Sequence, residues 1–181
     1  MLEFLPVLEQ TLGGSVDFVN LGGGFSQDWH HDPLHLQQYR ECLRPLQART
    51  QVQHEAGRAI FAKAGAFVTT VTAVKSLNDQ NIVVCDGGIA HNFLLAQTES
   101  IVKRLRRPQV APLGAGARAA LKGPVRVVGN SCSRMDVIGE IDSGTPVVPG
   151  DRLLFQNCGA YSTYSLVGFL SFKAAQRYLV S

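Results

Sequence analysis

Leu2, Leu5, Leu8 and Leu12 recur at nearly helical spacing, and Gly13-Gly14 follow where such a helix would stop. A surface helix is expected there. Val16-Asp17-Phe18-Val19-Asn20-Leu21 is rich in strand formers and runs into Gly22-Gly23-Gly24 and Phe25, so a strand should end in a glycine loop. From Pro33 to Arg49 the apolar positions Leu36, Tyr39, Leu43 and Leu46 fit a helix, interrupted or kinked at Pro45. Gln51 to His54 reads as a short strand ending at Glu55-Ala56-Gly57-Arg58. Strand, helix and strand in that order form the unit that builds parallel sheets and barrels.

Near Gly65 the pattern changes. Phe67 to Lys75 is dense in β-branched residues, and short apolar runs follow at Ile82 to Cys85, Val125 to Val128, Arg152 to Gln156 and Tyr161 to Phe172, with Gly, Pro, Asn and Asp between them. The expected architecture is α/β followed by β, the second part a β-sandwich or β-barrel. No internal repeat is visible.

Composition narrows the class. With 181 residues, 45% of them apolar and 17% charged, the chain is long enough for a real core and has the make-up of a globular protein. No stretch approaches a transmembrane span, and the start lacks a signal-peptide pattern, so a cytoplasmic location is expected. Cys42, Cys85, Cys132 and Cys158 are widely spaced, which fits free thiols in a reducing compartment, with Cys85 and Cys158 as buried small residues. A net charge of +3 argues against a nucleic-acid partner, and the basic cluster Lys103, Arg104, Arg106 and Arg107 reads as a solvated face.

Two segments carry candidate chemistry. Glycines at the end of a strand let backbone N–H groups approach a phosphate, although Gly22-Gly23-Gly24 matches neither the dinucleotide fingerprint nor the P-loop, and a glycine-rich turn is more often structural than ligand-binding. Glu55 and Arg58, at the end of the next strand, are placed to bind a charged heterocycle and an anion, or to form a surface ion pair. His30, His31, His35 and His54 with Asp28 and Asp32 follow no metal-ligand spacing, so no metal site is expected.

Asn20-Leu21-Gly22-Gly23-Gly24-Phe25, His54-Glu55-Ala56-Gly57-Arg58-Ala59-Ile60, Cys85-Asp86-Gly87-Gly88, Gly129-Asn130-Ser131-Cys132-Ser133-Arg134-Met135-Asp136 and Gly159-Ala160-Tyr161 stand in a particular order. In that order and spacing the chain, from Val16 to about Phe172, resembles the fold-type III pyridoxal-phosphate decarboxylases, relatives of diaminopimelate, ornithine and arginine decarboxylase. The resemblance implies residues 1–68 as the C-terminal part of a TIM-like (β/α) barrel that binds the cofactor, and 69–181 as a C-terminal β domain. It also implies pyridoxal 5'-phosphate as cofactor, an amino-acid-type substrate, free or carrier-bound, and a homodimer with shared active sites.

Placed on this sequence, the resemblance gives Gly22, Gly23, Gly24 and Gly57 to the cofactor site, with Arg58 near phosphate and substrate carboxylate. Tyr161 would add a hydroxyl to the phosphate site and also meet the substrate. Glu55 would pair with the pyridine nitrogen, and Cys132 would reach across the dimer to return a proton after decarboxylation. Ser133, Asp136 and Phe169 would contact substrate, whereas Asp86 would hold backbone.

Several departures bear on function. Ala56 replaces the proline that usually follows the glutamate. Ser133 replaces an acid that holds a distal ammonium, and a hydroxyl cannot neutralise that charge, so a substrate with a neutral, acidic or carrier-bound distal group is expected. Arg134 would suit an anionic tail, or simply face solvent. Lys63, Lys75, Lys103, Lys122 and Lys173 match none of the family's positions for the cofactor-bearing lysine, which lies upstream in those proteins. The expectation is therefore a partial copy of a decarboxylase that cannot by itself attach the cofactor, or an inactive binding or regulatory partner of an intact relative.

Overall fold

In a computed structural model of the protein, the structure describes residues 3–29, 33–77, 80–95, 107–113, 118–161 and 172–180. These fall into two compact units, Met1–Ala62 and Lys63–Ser181.

In the first unit, α1 (Phe4–Leu12) buries Leu5 and stops at Gly13, which takes φ 68° and returns its N–H to the Glu9 carbonyl. Glu9 is also paired with Arg49 at 2.6 Å, and the Thr50 hydroxyl donates to the Val16 carbonyl at 2.7 Å. Strands β1 (Phe18–Asn20) and β2 (Gln51–Gln53) are parallel, with Phe18 opposite Gln51 and Asn20 opposite Gln53. The connection between them carries α2 (Pro33–Gln47), as a parallel pair requires. Pro45 does not divide that helix. It stands in the last turn, where only the Glu41 carbonyl loses a partner and the helix ends two residues later. After β2 come α3 (Gly57–Phe61) and a 3-10 turn, Ala62–Ala64. Among the described residues the sheet of this unit is the β1–β2 pair, so the barrel expected for residues 1–68 is represented by two strands and their helix.

Among the described residues the second unit holds one mixed sheet of six strands. They are β3 (Phe67–Leu77), β4 (Gln80–Cys85), β5 (Gln109–Ala111), β6 (Val125–Val128), β7 (Val137–Ile141) and β8 (Arg152–Phe155), in the spatial order β5-β8-β3-β4-β6-β7. Strand β3 is long enough to pair first with β8, through Phe67 to Thr70, and then with β4, through Val71 to Leu77. A bulge between Val71 and Ala73 marks the change, and another interrupts β6 against β7; bulges of this kind bend a sheet and curl it. Among the described strands of this sheet only β4 and β6 run parallel, which fits the long connection between them.

Val71, Val83, Cys85, Val125, Val127, Ile138, Leu153 and Phe155 are buried in the concave core of this unit. Burial alternates along β4 and β6 with the strand period of two. β7 lies at the edge of the sheet yet is buried on both faces, so its apolar run lacks alternation. The two compact units meet in sequence between Ala62 and Lys63, and the start of the second is tied to its sheet: the Cys158 N–H donates to the Gly65 carbonyl at 2.8 Å, and Phe67 pairs with Phe155.

Candidate active site

One group of candidate residues stands in the first unit, where β1 and β2 end side by side. Loops at the carboxyl ends of parallel strands are where α/β proteins place ligand-binding groups. The ladder continues past the strands, since the Leu21 N–H donates to Gln53 at 3.0 Å and the Glu55 N–H to Gly22 at 2.9 Å. This draws the glycine loop against Glu55 so closely that a Cβ at Gly23 would stand 2.4 Å from the Glu55 carbonyl oxygen. Gly22 and Gly24 take φ 71° and 94°, which strain any side-chain-bearing residue, and nothing lies within 4 Å of where their Cβ atoms would stand. The outer side of the loop is therefore open.

Asn20 ties the two loops together. Its Nδ2 donates to Glu55 Oε1 at 2.8 Å and its Oδ1 accepts the Gly22 N–H at 2.8 Å. One amide thus orients the carboxylate and shapes the turn. The Gly22 N–H is engaged in this way, which leaves those of Gly23 and Gly24 to meet an anion. Asn20 has no role in the sequence reading; an Asn two residues before a glycine turn is the signal that would have found it, because its side chain closes that turn. Arg58 is half-buried on α3 beside Gly57. His54 is no ligand candidate here: its ring packs edge-on against Phe25 at 5.2 Å and its Nε2 meets the Tyr39 hydroxyl at 3.3 Å. Phe25 also contacts Trp29 and Tyr39, so the loop rests on an aromatic cluster.

A second group of candidate residues lies in the second unit, on loops of the six-stranded sheet. Cys132 is exposed on the loop between β6 and β7, with Arg134 and Met135 also facing outward. Ser133 closes a turn there: its hydroxyl accepts the Met135 N–H at 3.2 Å and its carbonyl the Asp136 N–H at 3.0 Å. Asp136, to which the resemblance gives a substrate contact, faces inward in this structure. It is 2% exposed, and its carboxylate accepts the Ile89 N–H at 2.6 Å together with the Ser131 N–H at 3.1 Å and hydroxyl at 2.5 Å. Its oxygens thus face backbone rather than the surface.

Asp86 holds backbone as expected, its Oδ1 accepting the Thr69 hydroxyl at 2.6 Å and the Thr70 N–H at 2.8 Å. Burial would raise its carboxyl, but these hydrogen bonds and the nearby His91 outweigh it and hold the group below the usual carboxylate range. Cys85, beside it, is pushed up to about 12 by burial and by the Asp86 charge, so its thiol is inert at neutral pH.

Tyr161 follows the turn at Cys158 to Ala160. Gly65 and Gly159 pack backbone to backbone there, and a Cβ at Gly65 would stand 2.8 Å from the Gly159 Cα. Asn157 and Tyr161 take φ 58° and 60°, a region that a tyrosine rarely adopts, and Tyr161 is 45% exposed. Phe169, like Tyr164, His30, His31, Asp32, Lys103, Arg104 and Arg106, lies outside the described residues. Arg107 is paired with Asp142. Among the described residues no cluster of His, Cys, Asp and Glu is arranged as a metal site, and no helix is long and apolar enough to cross a membrane.

Residues 17–159 match the family described as "Pyridoxal-dependent decarboxylase, C-terminal sheet domain". A probable diaminopimelate decarboxylase of rice chloroplasts is 26% identical over 164 residues, which cover 85% of this chain and 32% of that protein. The diaminopimelate decarboxylase of Actinosynnema pretiosum is 30% identical over 179 residues, 87% of this chain and 38% of that protein. The chain thus spans about a third of the length of these relatives. The arginine decarboxylase of Paramecium bursaria Chlorella virus, solved with agmatine bound, superposes with a TM-score of 0.73 at 16% identity, covering 94% of this chain and 48% of that one. The shared fold, the matched residues and the glycine and cysteine loops agree: the chain belongs to the pyridoxal-dependent decarboxylase family and corresponds to its C-terminal portion.

Proposed function

We propose that this chain supplies the C-terminal part of the active site of a decarboxylase acting on an L-amino acid or an amino-acid derivative. The observation that carries the reading is the coupling of Gly22-Gly23-Gly24 to Glu55 through Asn20 at the ends of two parallel strands. The chemistry of these loops fits pyridoxal 5'-phosphate: an open glycine loop with two available N–H groups suits a phosphate, and an oriented carboxylate suits a protonated pyridine nitrogen. When bound, the cofactor supplies an electron sink for the pair released as carbon dioxide leaves. Glu55, with one oxygen fixed by Asn20, would hold the ring-nitrogen proton. Arg58 and the Tyr161 hydroxyl would bind the phosphate, with Arg58 and Tyr161 also facing the substrate. Residues 1–68 would complete a (β/α) barrel together with strands outside this chain.

Cys132, exposed on a fixed loop, would deliver a proton to the reacting carbon of the neighbouring subunit in a homodimer. Ser133 in place of an acid, with Arg134 beside it, favours a substrate whose distal group is neutral, acidic or carrier-bound. Free thiols at all four cysteines suit a reducing compartment such as the cytoplasm.

No lysine occurs in residues 1–62, so the cofactor-bearing lysine must come from outside the first unit. That observation keeps a second reading open, a decarboxylase-like partner that performs no chemistry. Carbon dioxide release from a panel of amino acids by the protein encoded by the whole reading frame decides between them. We expect cofactor-dependent release, reduced about 100-fold by Glu55→Gln. Cofactor binding without release from any substrate would support the partner, and strong turnover of diaminopimelate would overturn the reading of Ser133.

A further inference from the structure

Two motifs that stand some forty residues apart in the sequence converge on one carboxylate. Asp136 draws its hydrogen bonds from two separate segments, Ile89 after the Asp86-Gly87-Gly88 turn and Ser131 after Gly129. The two glycines form the walls around it: a Cβ at Gly88 or at Gly129 would stand 2.3 Å from a carboxylate oxygen. No Lys or Arg among the described residues is paired with it. The same residue also closes the loop through its backbone, its carbonyl accepting the Gly129 N–H at 3.0 Å and its N–H donating to Ser133 at 3.0 Å. Both ends of the segment 129–136 are therefore held by Asp136, and the exposed Cys132 sits between them, next to Ser131.

We infer that Asp136 is a positioning residue for Cys132, a buried staple that sets the direction in which the loop presents its thiol. An anion suits this task because every neighbour is a donor. An amide would turn its NH2 toward either the Ile89 or the Ser131 N–H, and an alanine would leave all three donors unpaired in a buried place. Gly88 and Gly129 are glycines for the same reason, since the carboxylate occupies the space their side chains would need. The catalytic meaning of the arrangement rests on the role proposed above for Cys132. The geometric meaning does not.

The test has one arm for each. In this chain, iodoacetamide alkylation followed by peptide mass spectrometry reads Cys132 against the exposed Cys42, with the buried Cys85 and Cys158 reporting on the core. Asp136→Asn should raise the Cys132 rate relative to Cys42 about fivefold and Asp136→Ala about tenfold or more, with Cys85 and Cys158 still protected. An unchanged ratio in Asp136→Ala, or simultaneous labelling of Cys85 and Cys158 already in Asp136→Asn, would overturn the assignment. In the active holoenzyme containing this chain, Asp136→Asn should lower kcat about tenfold with KM nearly unchanged. A raised KM at constant kcat would instead place Asp136 on the substrate and refute the proposal. If the wild-type holoenzyme releases no carbon dioxide from any substrate, the decarboxylase reading fails, while the alkylation ratios still decide whether Asp136 positions Cys132.

Discussion

At the residue scale, small side chains in this protein are places where another group needs the room. Gly23 faces the Glu55 carbonyl at a distance no Cβ tolerates, whereas Gly22 and Gly24 need only their backbone angles. The two kinds of glycine therefore respond differently. Gly23→Ala must push the glycine loop away from the strand-end ladder, and thermal unfolding should show the first unit destabilised by roughly 1–3 kcal/mol. In the active protein the same substitution should weaken cofactor binding, because the N–H groups of residues 23 and 24 would no longer sit beside Glu55. An alanine variant with wild-type stability would show that the close approach is not needed. Asn20 illustrates the complementary case, in which one polar side chain does the work of a whole turn by accepting from Gly22 and donating to Glu55.

At the element scale, the second sheet is fastened by a buried ion pair. Asp151, fully buried at the start of β8, accepts from Arg118 at 2.6 Å, from the Val148 N–H at 3.0 Å and from the Leu113 N–H at 3.2 Å. Its own backbone joins β3 through the Val71 N–H. Burial pushes its carboxyl upward, but the hydrogen bonds from Arg118, Val148 and Leu113, with the Arg118 charge, outweigh it and hold the group below the usual carboxylate range. A carboxyl lowered in the folded state stabilises the fold above its unfolded value of about 3.9, and the contribution is lost as pH falls through the folded value. Arg118→Ala removes the charged partner and leaves a buried anion. It should cost about 3–5 kcal/mol. It should also move acid unfolding, followed by circular dichroism, to higher pH, because burial then dominates the carboxyl. Acid midpoints that coincide in the two proteins would contradict this account.

At the scale of the whole molecule, the two units carry unequal cores. The first buries Leu5, Leu46 and Ala62 as its apolar residues and leaves Phe4, Val7, Leu12, Phe18, Ile60 and Phe61 exposed; the second encloses a continuous cluster from Val71 to Cys158. Local stability follows buried apolar contact, so native-state hydrogen exchange should find its slowest amides in β3, β4, β6 and β8. Those of β1 and β2 should exchange orders of magnitude faster. Equal protection in both sheets would show that the first unit is stabilised by something beyond its own core.

Much of the local structure was legible because it depends on neighbours in sequence. The leucine spacing before Gly13 gave α1, the run into Gly22 gave β1, and the β-branched stretch from Phe67 gave β3. Strands β5 and β7 escaped, the first because three residues carry no period, the second because burial on both faces removes the alternation by which strands are recognised. The motifs themselves fixed the family, since their residue types and order survive without any knowledge of contacts. Tertiary structure alone decided which groups each motif residue meets. Hydrogen-bond partners come from segments distant in sequence: Asn20 reaches Glu55, and Asp136 turns inward to Ile89 and Ser131 while Cys132 stays exposed. A side chain's identity sets which bonds it can make, but only the packed chain determines which groups stand close enough to make them.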